Sequence, residues 1–206
     1  RAAPSPFAIA DVPQTVRIGI PESGLEFFGD ADADALYRAS VDRLAASGAD
    51  IVAVDFAPFK DAARLLYSGP WVAERLAAIR AFADANPTSL HETVGKIILG
   101  SAGLSAVDAF EGFYKLAELV RAAEGAWRKM DVLLLPTTGT TYKINEIVSD
   151  PVALNSNLGV YTNFVNLMDL SALAVPAGFR PNGLPFGVTL IGRAFEDGML
   201  ATVGDR

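Results

Sequence analysis

Short apolar runs that are rich in β-branched residues predict five strands along the chain. Thr15–Ile20 and Asp50–Asp55 are the first two, and Asp131–Pro136 is a third that we expect to be buried. Leu173–Gly178 and Gly183–Gly192 close the series. The last part of the chain therefore holds three of the predicted strands, and we expect the remaining elements to pack around it.

The segments between these strands are predicted to be helical. Ala31–Ser47 is Ala-rich, and Gly48 is a natural helix terminator, so the first two strands and this helix form a predicted βαβ unit with parallel strands. Further helices are predicted at 61–66, 70–85, 89–99, 105–129 and 155–167. The helix at 105–129 carries apolar residues at three- and four-residue steps: Phe110, Phe113, Leu116, Ala117, Val120 and Trp127.

The order of elements indicates an α/β fold, a mixed and mostly parallel sheet flanked by helices on both faces. Ligands of such sheets bind outside the carboxyl ends of the strands. Pro136 and Pro176 are expected to mark two of these ends. The polar turn Thr137–Thr141 follows the first, so it is a candidate ligand loop, although a structural turn is the favoured interpretation.

Composition places limits on the class of protein. A length of 206 residues suits one domain or half of a larger one, and 51% apolar residues with a mean hydropathy of +0.30 predict a sizeable core. No apolar run approaches 18 residues, and Arg1–Phe7 lacks the pattern of a signal peptide. That segment fits a chain that starts within a longer protein, or a processed natural N-terminus. We expect a cytoplasmic location.

Charge and cysteine content narrow the function. The absence of cysteine rules out disulfides, thiol catalysis and cysteine-ligated metal. A net charge of -7 argues against nucleic-acid and acidic-membrane partners, which need a basic surface. The predicted partner is therefore a small molecule.

Few side chains are candidates for catalysis. His91 is the single histidine and falls in a predicted helix, so neither a histidine metal cluster nor a triad is expected from it. Asp30, Asp32 and Asp34 resemble a carboxylate cluster, but they open a helix, where acidic groups are favoured by the helix dipole. Nucleophile-elbow, Walker and dinucleotide-binding fingerprints are absent from the sequence.

Tyr67 and Arg75 are the more informative pair. Tyr67 is expected just before a helix and Arg75 within it, so together they could present a phenol and a guanidinium to a carboxylate. The alternative is a core-edge tyrosine beside an ordinary surface arginine that pairs with Glu74 or Asp84.

Several motifs resemble amidase signature enzymes. The two closing runs and the strand at 132–137 resemble the C-terminal half of that superfamily. Three further segments are similar, more narrowly, to allophanate hydrolases: Leu25–Gly29, Leu66–Arg75 and Leu158–Asn166.

The resemblance implies hydrolysis of allophanate, the N-carboxylated form of urea, to ammonia and carbon dioxide. Such enzymes use a Ser nucleophile, a second Ser in cis conformation and a Lys base, all in an earlier Gly- and Ser-rich half. No stretch here matches that half, and the lysines stand in unrelated contexts: Lys60, Lys96, Lys115, Lys129 and Lys143. Residues 1–206 are therefore expected to be the C-terminal portion of an amidase domain, inactive without its N-terminal half.

The resemblance also assigns substrate binding. Tyr67 and Arg75 match the family's substrate-binding Tyr and Arg, with Arg75 holding the carboxylate. Tyr161 and Asn163 lie in a family motif, and helix packing is their expected role. No metal or cofactor is implied, and a homodimer is possible. The alternatives are another amidase signature hydrolase, an amidotransferase subunit, or a non-catalytic fragment that retains the fold.

Overall fold

The computed structural model describes residues 12–205, so the interpretation of Arg1–Phe7 lies outside it. The strands are β1 (Arg17–Pro21), β2 (Asp50–Val54), β3 (Val132–Pro136), β4 (Ser171–Phe179) and β5 (Pro185–Gly192). The helices are α1 (Ala31–Ala46), α2 (Ala57–Ser68), α3 (Trp71–Ala85), α4 (Glu92–Gly100), α5 (Ala106–Trp127), α6 (Ile144–Ser149), α7 (Ala153–Leu158), α8 (Asn163–Leu167) and α9 (Asp197–Asp205). A 3-10 turn at Ser101–Gly103 joins α4 to α5.

The five strands form one mixed sheet in the order β2-β1-β3-β5-β4. β1 pairs in parallel with both β2 and β3, which confirms the predicted βαβ unit. β5 runs antiparallel to β3 and to β4. Only β5 is therefore reversed relative to the others, and the mixed, mostly parallel sheet is confirmed.

Helices cover both faces of the sheet. On one face, side chains of β3 and β5 pack with α2, α5 and the region of α8 around Phe59, Leu119, Trp127 and Phe164. On the other face, residues of β1, β3 and β5 pack with Tyr37 of α1 and with residues of α9. β3 is buried along its whole length, as its uninterrupted apolar run predicts.

The helices predicted at 61–66 and 155–167 were wrong in extent. α2 begins at Ala57 rather than Asp61, since Pro58 is well placed in a first helical turn. The single helix predicted at 155–167 is two short helices, separated by the turn at residues 159–162. The turn places Tyr161 in the core, where it is fully buried.

The apolar stripe predicted along α5 is largely exposed. Phe110 and Phe113 are 59% and 56% exposed, and of the predicted stripe only Trp127 is buried; the other buried residues of α5 are Gly112, Leu119, Ala123 and Ala126. Gly112, Ala123 and Ala126 keep part of the buried face small, while Phe110 and Phe113 lie on the outside of the helix. Ser105 caps α5 through a reciprocal capping box with Asp108.

The prediction that Pro176 ends a strand was also wrong. β4 continues to Phe179, with an irregularity in its pairing between Pro176 and Gly178. β4 is the last strand of the sheet, and proline is tolerated there because an edge strand leaves one row of N–H groups unpaired. Pro136, in contrast, does end β3.

Within residues 12–205, no single helix is long and apolar enough to cross a membrane. The segments Glu92–Gly103 and Ala106–Trp127 pass that test only as a pair, and they are bent by 104° relative to each other.

Candidate functional site

Tyr67 and Arg75 flank the corner between α2 and α3. Tyr67 lies in the last turn of α2, just before α3 as predicted, and Arg75 lies in the second turn of α3. Gly69 and Pro70 form the link, in which Gly69 is extended (φ -104°, ψ -170°) and Pro70 precedes the first residue of α3. The helix break therefore brings a residue of each helix to one corner.

The two side chains are in contact. The Arg75 guanidinium carbon lies 5.6 Å from the centroid of the Tyr67 ring, which is the geometry of a cation–π interaction. Tyr67 is 45% exposed, and Arg75 is exposed as well. The structure thus joins the two residues that the sequence analysis selected.

Arg75 keeps its hydrogen-bonding capacity. Between Val12 and Asp205 no carboxylate pairs with it, so the alternative partners Glu74 and Asp84 are not used. A planar guanidinium with free N–H groups beside a phenol hydroxyl can hold a carboxylate through two parallel hydrogen bonds. The corner is therefore chemically suited to a small anion.

The Thr137–Thr141 turn is occupied by internal contacts. The hydroxyls of Thr137 and Thr189 are 2.9 Å apart, and the Thr140 hydroxyl donates to the Asp30 carboxylate at 3.0 Å. Gly139 lies so close to the backbone oxygen of Glu26 that a Cβ there would be 2.3 Å from it. These contacts favour the structural interpretation of the turn.

Asp30 belongs to a buried ion pair that the sequence analysis missed. Its carboxylate caps α1 by accepting from the N–H of Ala33 at 2.9 Å, and it also pairs with the guanidinium of Arg180. The side chain of Arg180 is only 4% exposed. Arg180 lies 150 residues away along the chain, in the turn between β4 and β5, so no local pattern could have indicated the pair.

The pKa of Asp30 is lowered from its ordinary value. Burial opposes ionisation, but the N–H of Ala33, the Arg180 guanidinium and the Thr140 hydroxyl together outweigh it. Asp32 and Asp34 lie in the first turn of α1, as the helix-start interpretation predicted. No group of three or more potential ligands in residues 12–205 is arranged to hold a metal ion.

His91, Tyr161 and Asn163, the other residues singled out in the sequence, lie at helix starts or in the core. His91 precedes the first residue of α4 with an extended backbone (ψ 133°), rather than lying within a helix as predicted. The Tyr161 hydroxyl donates to the backbone oxygen of Glu26 at 2.9 Å and accepts from its N–H at 2.5 Å. Burial raises the pKa of Tyr161 to about 12. Asn163 begins α8, and its amide lies against Gly159.

Serine and lysine side chains do not hydrogen-bond to one another in the described part of the chain. The serine hydroxyls that donate hydrogen bonds there do so to backbone carbonyls or carboxylates. Lys60 and Lys96, for example, pair with Glu26 and Glu92. Acyl transfer through a serine needs a base that takes its proton, and none of these hydrogen bonds places a lysine amine to do so.

A groove of about 590 Å³ lies elsewhere, between α1, α9 and the sheet. Its lining is mainly apolar, and Arg43 is the one charged residue among the described residues that line it. Arg43 donates to the Ser40 hydroxyl at 2.9 Å and to the Ala177 carbonyl at 2.7 Å, so it is already engaged. The cation that lines the groove is therefore engaged, whereas Arg75 at the α2–α3 corner is not.

Comparison with known proteins gives a consistent result. The Amidase family model matches residues 4–201. Urea amidolyase of Saccharomyces cerevisiae is 42% identical over 93% of this chain, which spans 10% of that protein. A glutamyl-tRNA(Gln) amidotransferase subunit of Corynebacterium diphtheriae is 32% identical over 82% of this chain and 39% of its own length.

Solved structures agree. The allophanate hydrolase of Kluyveromyces lactis superimposes with a TM-score of 0.93 at 43% identity, covering 100% of this chain and 34% of that one. The predicted resemblance to allophanate hydrolases is thereby confirmed. Since the family model matches nearly the whole chain, this chain belongs to the amidase family.

Proposed function

We propose that this chain is the C-terminal portion of an amidase domain that hydrolyses allophanate to ammonia and carbon dioxide, and that it supplies recognition of the substrate carboxylate. The similarity to urea amidolyase and to allophanate hydrolase supports amide hydrolysis of this kind. The observation that carries the substrate assignment is the contact between Tyr67 and Arg75, with Arg75 unpaired among residues 12–205.

In this proposal Arg75 binds the carboxylate of allophanate, and the Tyr67 ring holds the guanidinium in place while its hydroxyl offers a further hydrogen bond. A neutral amide has no group that needs such an anion site. Discrimination therefore comes from a charge-assisted pair, which is about twice as strong as a neutral hydrogen bond.

The nucleophile and base come from outside this chain. An N-terminal half of the domain supplies the Ser–Ser–Lys triad, and the attack forms an acyl-enzyme whose oxyanion is held by backbone N–H groups. The intact protein acts in the cytoplasm on a small molecule, without a metal or cofactor, and can form a homodimer.

The test is ammonia release from allophanate and from a neutral aliphatic amide. We expect the intact protein that contains this chain to prefer allophanate by about 100-fold in kcat/KM, the value of roughly two charge-assisted hydrogen bonds. The purified 206-residue chain should release no ammonia above background. Turnover by the chain alone would disprove the proposal that the triad lies outside it. Preference for the neutral amide would disprove the proposal that allophanate is the substrate.

A glutamyl-tRNA(Gln) amidotransferase subunit is the second candidate, because a protein of that name is 32% identical to this chain over 82% of its length. Release of ammonia from glutamine by the intact protein, without turnover of allophanate, would favour this candidate over allophanate hydrolysis.

A further inference from the structure

The α2–α3 corner packs closely against α5 at one glycine, Gly112. A Cβ added to Gly112 would lie 2.4 Å from the Cδ and 2.6 Å from the Cγ of Pro70. Both contacts are shorter than carbon atoms tolerate, and the pyrrolidine ring cannot swing away as a flexible side chain would. The backbone of the corner would therefore have to shift if Gly112 carried a side chain.

The presence of glycine at this position needs a reason. Gly112 is buried in the interior of α5, where glycine costs about 1 kcal/mol of helix stability relative to alanine. Gly125 in the same helix has only the Arg128 side chain near its Cβ position, at 4.0 Å. Close approach of Pro70 explains Gly112, whereas no atom of residues 12–205 approaches Gly125 in the same way.

Two further contacts fix the corner. The Trp71 ring packs edge-on against Phe113, with centroids 5.8 Å apart and planes at 73°. A Cβ on Gly69 would lie 2.7 Å from the Leu65 carbonyl oxygen and 2.9 Å from the Trp71 ring. The link between α2 and α3 is thus held tightly by α5 and by its own neighbours.

The same link sets the geometry of Tyr67 and Arg75, which lie on either side of it in chain order. A shift of the corner changes the direction of α3 relative to α2, and with it the 5.6 Å separation of guanidinium and ring. We infer that Gly112 is a positioning residue for anion binding: its missing side chain lets the corner sit where Tyr67 and Arg75 together receive a carboxylate. This inference rests on the proposed function.

The first test is Gly112→Ala in the intact protein, assayed for ammonia release from allophanate. We expect KM to rise about tenfold, because small misplacement of a binding group is costly, while kcat changes less than about twofold. A carboxylate anchor remote from the reacting bond contributes to the bound substrate and the transition state alike, which is why KM responds. Gly125→Ala, the same change in the same helix, should leave both constants unaltered.

Rescue separates positioning from simple destabilisation. The double variant Gly112→Ala with Pro70→Ala removes the ring atoms that the new methyl group meets, so it should recover most of the wild-type KM. A folded Gly112→Ala protein with wild-type KM, or a double variant without recovery, would overturn the inference. If Gly112→Ala does not fold, the double variant decides between the two explanations. A folded double variant with wild-type KM supports the inference that Gly112 makes room for Pro70.

The outcomes also separate this inference from the proposed function. Allophanate turnover that Arg75→Ala impairs but Gly112→Ala does not would overturn the inference alone. Absence of allophanate turnover in the wild type would overturn both.

Discussion

Replacing Arg75 with alanine is expected to lower kcat/KM for allophanate about 100-fold in the intact protein, mainly through KM. Two charge-assisted hydrogen bonds to a carboxylate contribute roughly 3 kcal/mol, and each 1.4 kcal/mol is a factor of ten. Arg75 forms no ion pair within residues 12–205, so its removal leaves no unpaired carboxylate in that part of the fold. Steady-state ammonia release measures the effect directly.

The control for this variant lies one and a half turns further along α3. Arg80 is exposed and unpaired among residues 12–205, so Arg80→Ala should match the wild type. Arg75→Lys should recover only part of the loss, because an ammonium keeps the charge but not the planar fork. Full activity of Arg75→Ala would remove Arg75 from the site.

Replacing Asp30 with asparagine is expected to destabilise the protein by about 3 kcal/mol at pH 7, since it leaves the buried Arg180 without a countercharge. Asparagine remains a good N-cap, so the start of α1 is preserved. The loss of stability therefore measures the effect of removing the negative charge. Urea unfolding of the intact protein, followed by tryptophan fluorescence, measures the difference.

The dependence on pH follows from the lowered pKa of Asp30. A carboxyl whose pKa is lower in the folded state stabilises the fold above its unfolded pKa of about 3.9, and this contribution disappears as the pH falls through the folded pKa. The difference in the free energy of unfolding between wild type and Asp30→Asn should therefore decrease below about pH 4.

Asp34→Asn is the matched control. Asp34 pairs with Arg38, whose side chain is 72% exposed, so the change should cost less than about 1 kcal/mol. An Asp30→Asn protein as stable as the Asp34→Asn protein at pH 7 would contradict the importance of the buried pair.

The strands were predictable because their patterns are local. The uninterrupted apolar run of β3 indicated burial on both faces, and Gly48 indicated the end of α1, where its φ is 97°. The exposed stripe of α5 was not predictable, since large apolar residues normally face the core. There Gly112 is buried instead, because Pro70 approaches the helix closely at that position.

The candidate site was partly predictable. Resemblance selected Tyr67 and Arg75, and the helix break at Gly69 and Pro70 was also indicated by the sequence, but the contact of the two side chains across it was not. The ion pair of Asp30 with Arg180 had no sequence signal, as the two residues meet only when the turn between β4 and β5 packs against the start of α1.

The most direct test of the anion site is a crystal structure of the intact protein with an unreactive carboxylate analogue of allophanate. The account predicts both carboxylate oxygens at about 2.7–2.9 Å from N–H groups of Arg75, with the Tyr67 hydroxyl alongside. An analogue whose carboxylate is bound by other residues, with Arg75 facing solvent, would contradict it.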